Sequence, residues 1–510
     1  MAVVPMRLRD WAKAHRSKAL GYLLWIAFDF TAAAALGALL VWGPLNRGWS
    51  PLNLLAAAIL GSVGAALRGR HLMAEVVGPR VVARKWGMWL NGVQALLFVG
   101  IGALCLVQLY AIGTLPPITQ DKLANFERLT RAIEANYPYF DLKEIQWETI
   151  RERYEERIER VEDDEEYFRV IAMMLAELGD AHSGVLSPRL QEPGEFLGLV
   201  RKLEGKAVVT AVRPTLGIPE LTRGTVILER DGAPVEEYLR GLDPWLVAGS
   251  TPAQREFLAY MQLLRIPSDR PVQYVVETPT GEIRELVLRW QESYRNAGQA
   301  TPRAPVSGEV LPSGVGLIEI RTFRSGTGVV DLFDRALEEV FDTPGLIIDL
   351  RGNGGGSTLV SDSVAGRFFE DDFLYGIVEF RERLPITGWA KRLPLKVRPR
   401  GETYRGRVAI LTDVSNMSTA ELFIVAMKDS GRAITVGTQT AGASGNPVTF
   451  NLPGGRVRFS TGFFRRSDGT PIEGRGISPD IPVEPTIEDI RQGRDPALER
   501  AVRYILEGTL

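Results

Sequence analysis

The pattern of apolar positions divides the chain near residue 115. Long apolar runs come first, at Ala19–Trp42, Leu52–Leu67 and Gly87–Leu115, and the first and third are long enough to cross a bilayer as helices. Beyond residue 115, apolar residues recur either with helical spacing or in the short runs typical of strands. The pattern predicts three transmembrane helices within residues 1–117, followed by a mixed α/β region.

Basic residues flanking the apolar runs predict how the membrane segment is oriented. Five precede the first run, only Arg47 follows it, and five lie between the second and third runs. Because basic residues accumulate on the cytoplasmic side, we expect a multi-pass protein of the cell membrane with its remaining residues extracytoplasmic. Asp29 lies within the first run, where we expect it to face a neighbouring helix or a partner protein.

Composition limits the chemistry that the chain can perform. The formal net charge is -2 and no basic stripe is interleaved with aromatic residues, so nucleic acid is not an expected partner. The single cysteine, Cys105, allows neither an intrachain disulfide nor a thiolate zinc site. His15 and His71 lie near the amino terminus, which leaves His182 as the sole imidazole after residue 115. We expect no metal and no organic cofactor.

The next segment, residues 118–192, has the spacing of amphipathic helices. Helices are predicted at Leu123–Ala135, Glu144–Arg160 and Glu165–Leu178. The sequence ELGDAHSGV comes next, and its glycines predict a tight turn that presents His182 on a loop rather than on an apolar face. Any histidine-dependent base catalysis by this region would use His182.

Residues 193–292 have the pattern of a small β-rich domain. Predicted elements are strands at Phe196–Val200, Lys206–Val212, Val226–Arg230, Val272–Glu277 and Glu282–Trp290, and a helix at Val235–Leu242. Their order resembles a PDZ-like domain, in which Leu197, Gly198 and Leu199 stand at the carboxylate-binding loop and would bind substrate. Such a domain adds an extended peptide to a sheet edge. The alternative is a β-rich domain that only frames the active site.

Residues 303–492 contain two strand-turn-helix units. Strand Gly345–Leu350 runs into RGNGGGS before a helix that includes Val360–Phe369, and strands are also predicted at Gly314–Ile320 and Arg456–Ser460. Glycines at a helix start aim bare N–H groups into space and bind anions. The lysine and spacing of a phosphate-binding P-loop are absent. We therefore favour an oxyanion hole in which Gly354 and Gly355 donate beside the N–H of Thr419.

The second unit places a serine at a strand-to-helix turn. Strand Val408–Leu411 leads through a polar turn into a helix that begins at Ser418, where the helix dipole would favour negative charge. Ser418 is thus a candidate nucleophile, but Ser418 and Glu421 also have the spacing of a capping box, and both interpretations stay open. Glu473 lies in a later loop, where it would orient a histidine, bind substrate or be a solvated acid.

Four motifs in this order resemble one peptidase family. ELGDAHSGV, GLIIDLRGNGGGS, SNMSTAELF and PIEGRGISPD are similar to the carboxy-terminal processing and tricorn-core serine peptidases, and Tyr137–Asp141 with Trp147 resembles the amino-terminal part of the tricorn-core type. The resemblance covers residues 120–490. It implies a ClpP/crotonase-like α/β catalytic domain, a helical cap segment and the PDZ-like insert.

The same resemblance implies the roles of the catalytic residues. A family branch with a Ser-Lys dyad has a lysine where this chain has Ala443. The other branch, with a serine-histidine-serine-glutamate tetrad, implies Ser418 as nucleophile, His182 as base and Glu473 as acid. The second serine of that tetrad precedes the histidine, where this chain has Ala181, so Ser183 is the residue assigned to its role.

The expected function is a membrane-anchored serine endopeptidase that cleaves extracytoplasmic polypeptides through an acyl-enzyme. The expected domains are a bilayer anchor at 1–117, the helical segment at 118–192, the PDZ-like domain at 193–292, the peptidase domain at 303–492 and a helix at 493–510. Two alternatives remain. One is an inactive peptide- or lipid-binding protein on the same scaffold, and the other is a crotonase-like acyl-CoA enzyme.

Overall fold

The computed structural model describes residues 119–188, 190, 194–213, 218, 220–289, 303–381 and 392–509. The predicted membrane segment, residues 1–117, lies outside these ranges, and its three helices stay a prediction. Within the described ranges, no helix combines the length and the apolar character needed to span a bilayer. The described residues belong to a compact unit that begins at Pro116.

The helical segment consists of α1 (Lys122–Asn136), α2 (Trp147–Ile158), α3 (Asp164–Ala176) and the short strand β1 (Gly184–Leu186). The predicted start of the second helix at Glu144 is wrong, because that residue has a left-handed φ of 54°. Asp121 and Asp163 cap α1 and α3, since their carboxylates accept backbone N–H groups of the first turns. The helices share a core with the strands at 448–459, so the segment packs onto the region that contains those strands.

The β-rich domain comes after the helical segment. Its elements are β2 (Gly194–Phe196), β3 (Gly198–Leu203), β4 (Lys206–Val212), β5 (Val226–Arg230), β6 (Ala233–Pro234), α4 (Val235–Arg240), α5 (Pro252–Gln262), β7 (Arg265–Pro267), β8 (Val272–Glu277) and β9 (Ile283–Leu288). An antiparallel sheet has the order β3-β4-β5-β8-β9. The prediction of one strand across Phe196–Val200 is wrong, because the ladder is interrupted at Leu197, whose N–H donates to the Leu264 carbonyl at 2.9 Å.

The remaining elements form the α/β domain. They are β10 (Val306–Val310), β11 (Gly316–Ile320), α6 (Val329–Glu339), β12 (Gly345–Asp349), α7 (Thr358–Ala365), β13 (Phe373–Phe380), β14 (Arg392–Val397), β15 (Arg407–Thr412), α8 (Thr419–Asp429), β16 (Ile434–Gly437), β17 (Val448–Leu452), β18 (Gly455–Phe459), β19 (Gly462–Arg466), β20 (Ile481–Pro482), α9 (Ile487–Gln492) and α10 (Pro496–Glu507). The central sheet has the order β10-β11-β12-β15-β16-β20, and its pairs are parallel except β10 with β11. The predicted α/β class is confirmed.

Both faces of the central sheet are covered, which explains why its strands are continuous apolar runs. Ile348 and Ile410 join the core that contains α6, α7 and α8, whereas the alternate residue Ile347 packs in a second core with Ile505 of α10. Because parallel strands end at one edge of a sheet, β12 and β15 deliver the glycine turn and Ser418 to the same edge. This edge holds the candidate site.

Candidate active site

Ser418 has a strained backbone at the start of α8. Its φ is 58° and its ψ is −130°, and its side chain makes no capping hydrogen bond to the helix. Such a conformation costs a non-glycine residue about 1–3 kcal/mol, and strain of this kind concentrates at functional sites. The capping-box alternative is therefore wrong, and Ser418 occupies the sharp strand-to-helix turn expected of a nucleophile.

Glu421 does not reach back to Ser418 but binds the backbone of a later loop. We name residues 440–446 the junction loop. The buried Glu421 carboxylate accepts hydrogen bonds from Thr440 Oγ1 at 2.6 Å, Gly442 N at 2.8 Å and Ala443 N at 2.9 Å. Burial raises the pKa of Glu421 to about 8, and the three donors oppose that rise. The first turn of α8 thus fixes the backbone of the junction loop.

The glycine turn after β12 lies directly against Ser418. A Cβ on Gly355, which has a φ of 95°, would lie 2.9 Å from Thr419 N and 3.0 Å from Ser418 Cβ, so no larger residue fits there. Contrary to expectation, the Gly355 N–H is already engaged, because it donates to Asn353 Oδ1 at 2.8 Å. The N–H groups of Gly354 and Thr419 have no hydrogen-bond acceptor within the described part of the chain. These two are the amides left to bind an oxyanion.

His182 lies on the predicted turn after α3, and it is buried there, with only 6% of its surface exposed. Asp180, which sequence reasoning missed, holds the turn. Its Oδ1 accepts the His182 backbone N–H at 2.9 Å, and its Oδ2 accepts the Ser183 hydroxyl at 2.6 Å. Burial lowers the pKa of His182 to about 4, Asp180 opposes this, and Arg458 and Lys143 add to it. The imidazole is therefore neutral at physiological pH.

Glu473 is buried, which rules out the solvated-acid interpretation. Its Oε1 accepts from Lys143 Nζ at 2.7 Å and its Oε2 accepts from Ser444 N at 2.8 Å. Burial raises the pKa of Glu473 to about 7, and Lys143 is the main opposing influence. Lys143 also donates to the Gly179 carbonyl at 2.6 Å, so it links Glu473 to the turn that carries His182. Nothing in the charged sequence around Lys143 distinguishes it from a surface lysine.

The junction loop brings the three predicted catalytic residues into one neighbourhood. Its Ala443 carbonyl accepts the Ser418 N–H at 2.7 Å, and its Ser444 N–H binds Glu473. A Cβ on Gly445 would lie 3.3 Å from His182 Cγ. Position 443, where the related Ser-Lys enzymes have lysine, is a buried alanine. The loop thus supplies backbone contacts rather than a catalytic amine.

Other predicted site residues are placed differently from expectation. Ser183 is bound to Asp180, so its hydroxyl is directed to the turn and not to Glu473. Gly198 and Leu199 belong to strand β3, and the Leu197 carbonyl accepts the Arg213 N–H at 3.0 Å. The role of Leu197–Leu199 in binding a substrate carboxylate stays a prediction. In the described ranges, no group of three or more His, Cys, Asp or Glu side chains has the arrangement of a metal site.

Comparison with known proteins supports the same family as the motifs. Peptidase family S41 matches residues 314–483, and the tricorn protease C1 domain matches residues 119–176. Tricorn protease homolog 1 of Streptomyces coelicolor is 24% identical over 403 residues, covering 75% of this chain and 35% of its own length. The chloroplastic C-terminal processing peptidase of Tetradesmus obliquus is 23% identical over 382 residues, covering 72% of this chain and 79% of its own.

The solved structure of mature CPAF has a similar fold. Its TM-score is 0.62 at 19% identity, and the match covers 76% of this chain and 98% of that one. The chain spans about a third of the length of the Streptomyces tricorn homologues that it matches. The matched regions contain Ser418, Gly354 and Glu473 in one domain and the helices that precede His182 in the other. Residues 314–483 therefore match peptidase family S41, a serine-type peptidase family, and residues 119–176 before them match the tricorn protease C1 domain.

Proposed function

We propose that the protein is a serine endopeptidase that uses Ser418 as nucleophile and His182 as base. The observation that carries this proposal is the backbone of Ser418, which is held at a positive φ by its hydrogen bond to the junction loop and faces the glycine turn. A serine that only began a helix would cap it and would not need this conformation.

The proposed reaction begins when His182 takes the hydroxyl proton of Ser418 as its oxygen attacks the peptide carbonyl. The amides of Gly354 and Thr419 bind the resulting oxyanion, and each such donor is worth roughly 3 kcal/mol in a transition state. His182 then gives its proton to the departing amine, which leaves an acyl-enzyme on Ser418. Water, deprotonated by the same imidazole, releases the second product.

Glu473 acts on the reaction indirectly, through the two groups that its carboxylate binds. Its carboxylate is bound to Lys143 and to the junction loop, and Lys143 is bound to the turn that carries the histidine. We therefore assign Glu473 to positioning His182 and the loop, not to contact with the scissile bond.

Labelling with a fluorophosphonate tests the assignment. The probe phosphonylates an activated serine, so the full-length chain is expected to be labelled and Ser418→Ala is expected to lose the label entirely. Ser430→Ala is the matched control, because Ser430 lies beyond the other end of α8 and its hydroxyl donates to helix carbonyls. Labelling that persists in Ser418→Ala would refute the assignment, and a wild-type chain that binds peptides without being labelled would favour the inactive binding protein.

We further propose that residues 1–117 anchor the protein in a membrane with the peptidase domain extracytoplasmic. The support is the three apolar runs and the alternation of basic residues around them. Carbonate extraction should leave the protein in the membrane fraction, and protease added outside intact cells or spheroplasts should digest the peptidase domain. Recovery in the soluble fraction would exclude the anchor.

The substrate is proposed to be an extended polypeptide that pairs with strand β3 of the PDZ-like domain. Strand β3 stands at one end of the sheet order, it packs beside α5, and Leu199 on it exposes 36% of its surface. Leu199→Asp should raise KM for a long peptide while leaving the labelling rate of Ser418 unchanged. An unchanged KM would refute this docking site.

A further inference from the structure

Two buried polar atoms near the proposed site have no hydrogen-bond partner in the described residues. They are Nδ1 of His182 and Oγ of Ser460. His182 is 6% exposed and Ser460 is fully buried. Buried polar groups are nearly always paired, because leaving one unpaired is unfavourable. One hydrogen bond between the two atoms would satisfy both.

The β-ladder between β1 and β18 brings together the chain segments that carry these two residues. Strand β1 pairs with β18 in an antiparallel ladder in which Gly184 faces Arg458 and Leu186 faces Arg456. His182 precedes Gly184 by two residues in the turn before β1, and Ser460 follows Arg458 by two residues. Both residues therefore lie just beyond the same end of the ladder.

Gly445 of the junction loop gives an independent indication that the two side chains meet. A Cβ at this position would collide with Ser460 Oγ and would lie 3.3 Å from His182 Cγ. In the ring, Cγ is bonded to Nδ1 and to Cδ2, so Nδ1 lies one bond from the atom that faces Gly445. The hydroxyl and the ring therefore pack against the same small patch of backbone, where a glycine leaves space for both.

The buried carboxylates around the proposed site already bind other donors. Both Asp180 oxygens are used, one by the His182 backbone N–H and the other by Ser183. Both Glu473 oxygens are used by Lys143 and Ser444. Ala181 has no hydroxyl. Among the described residues, Ser460 Oγ is a buried oxygen that has no hydrogen-bond partner and that faces the same glycine as the imidazole.

We propose that the Ser460 hydroxyl accepts a hydrogen bond from Nδ1–H of His182 and is a positioning residue for the peptidase reaction. This inference rests on the proposed function, in which Nε2 must be unprotonated to receive the Ser418 proton. A neutral imidazole carries one proton, and the bond to Ser460 keeps it on Nδ1 and fixes the plane of the ring. Once Nε2 is protonated, the same bond stabilises the imidazolium.

Ser460→Thr and Ser460→Val form a matched pair, because the two side chains have the same shape and only threonine has the hydroxyl. The rate of fluorophosphonate labelling of the full-length chain is expected to fall about tenfold in Ser460→Val relative to Ser460→Thr, as expected for loss of one hydrogen bond. Peptide hydrolysis should lose kcat with an unchanged KM. Equal labelling rates for the pair would overturn the inference.

A pH profile adds a readout that a packing defect would not change. The charged groups facing His182 are Asp180, Arg458 and Lys143, and all are kept in both variants. Because the bond favours the protonated ring, its loss should move the acidic limb of the labelling profile to lower pH in Ser460→Val, by about half a unit. An unmoved limb would count against the inference.

Two further variants distinguish a folding defect and a failure of the proposed function from a failure of the Ser460 inference. Ser460→Ala removes the hydroxyl without adding volume, so it replaces the pair if the larger side chains prevent folding, and it should label about tenfold more slowly than wild type. A wild-type rate in Ser460→Ala would also overturn the inference. If Ser418→Ala abolishes labelling while all Ser460 variants label normally, the peptidase assignment stands and only the role of Ser460 fails.

Discussion

Replacement of Lys143 by methionine should destabilise the protein by an amount that grows with pH. Lys143 Nζ lies 2.7 Å from Glu473 Oε1 and 2.6 Å from the Gly179 carbonyl, and the two charged side chains are 14% and 0% exposed. Methionine keeps most of the volume of lysine but leaves the carboxylate buried without its cation. Breaking a buried pair in this way usually costs about 3–5 kcal/mol when the remaining charge cannot be neutralised.

Glu473 can be neutralised by binding a proton, and this sets the pH dependence. Its pKa is raised above the unfolded value, to about 7, so folding favours the protonated form and stability falls as pH rises between the two values. Below pH 7 the carboxyl is mostly protonated in both proteins. Above pH 7 the Glu473 carboxyl is ionised in the wild type. In Lys143→Met the pKa of Glu473 is higher than in the wild type, because the lysine that lowers it has been removed. The stability gap should therefore widen above pH 7 by up to about 1.4 kcal/mol per pH unit.

Urea unfolding at pH 6 and pH 8 measures this gap. At pH 6 we expect a loss of about 1–2 kcal/mol, mainly from the lost hydrogen bond to the Gly179 carbonyl, and at pH 8 a loss about 1 kcal/mol larger. In a Glu473→Gln background, residue 473 cannot titrate. The stability difference between Glu473→Gln and the double mutant with Lys143→Met should therefore be the same at pH 6 and pH 8. A gap that is constant or narrows with pH would refute the reasoning.

An exposed ion pair provides the control. Lys202 Nζ lies 2.8 Å from Glu256 Oε2, nearly the same distance, but the two side chains are 43% and 49% exposed. Lys202→Met should change the free energy of unfolding by less than about 1 kcal/mol at either pH, because water screens exposed pairs. If Lys202→Met and Lys143→Met lowered the free energy of unfolding by similar amounts, burial would not be the cause of the loss in Lys143→Met.

Three further predictions concern the residues around the junction loop. Gly445→Ala should lower stability by about 1–3 kcal/mol through overpacking and should slow fluorophosphonate labelling, whereas Gly184→Ala, where a Cβ would meet nothing within 4 Å, should do neither. Glu421→Gln should cost roughly 2 kcal/mol in urea unfolding, since its amide would face the Ala443 N–H, and a neutral result would contradict the hydrogen-bond assignment. Labelling of the wild type should be independent of His182 protonation from pH 8 to about pH 5 and should fall as the pH approaches the pKa of about 4, whereas a fall centred near pH 6.5 would show an exposed imidazole.

The sequence predicted the α/β class and the general location of the site because both depend on local patterns. Apolar runs that lead into glycine-rich or polar turns identify β12, β15 and the turn after each strand, and parallel pairing then brings the two turns together. The family resemblance supplied the roles of Ser418, His182 and Glu473, and the strained turn at Ser418 is consistent with the first of these.

The missed features depend on contacts between distant segments. Lys143 looks like one charge among many in a helical stretch, and only the fold buries it against Glu473. Glu421 has the spacing of a capping box, but tertiary contacts with the junction loop outweigh that local option. The break between β2 and β3 at Leu197 was missed because it depends on a hydrogen bond to the Leu264 carbonyl, which no local pattern reveals.

The wide spacing of His182, Ser418 and Glu473 along the chain has a consequence for biosynthesis. A nascent polypeptide that has emerged from the ribosome only as far as α8 already has the serine and the imidazole, but it lacks the buried acid, strand β18 and Ser460. On the proposed assignment, such an unfinished chain lacks the residues that position His182. Its peptidase activity would therefore develop fully only after the last part of the chain has been synthesised and has folded.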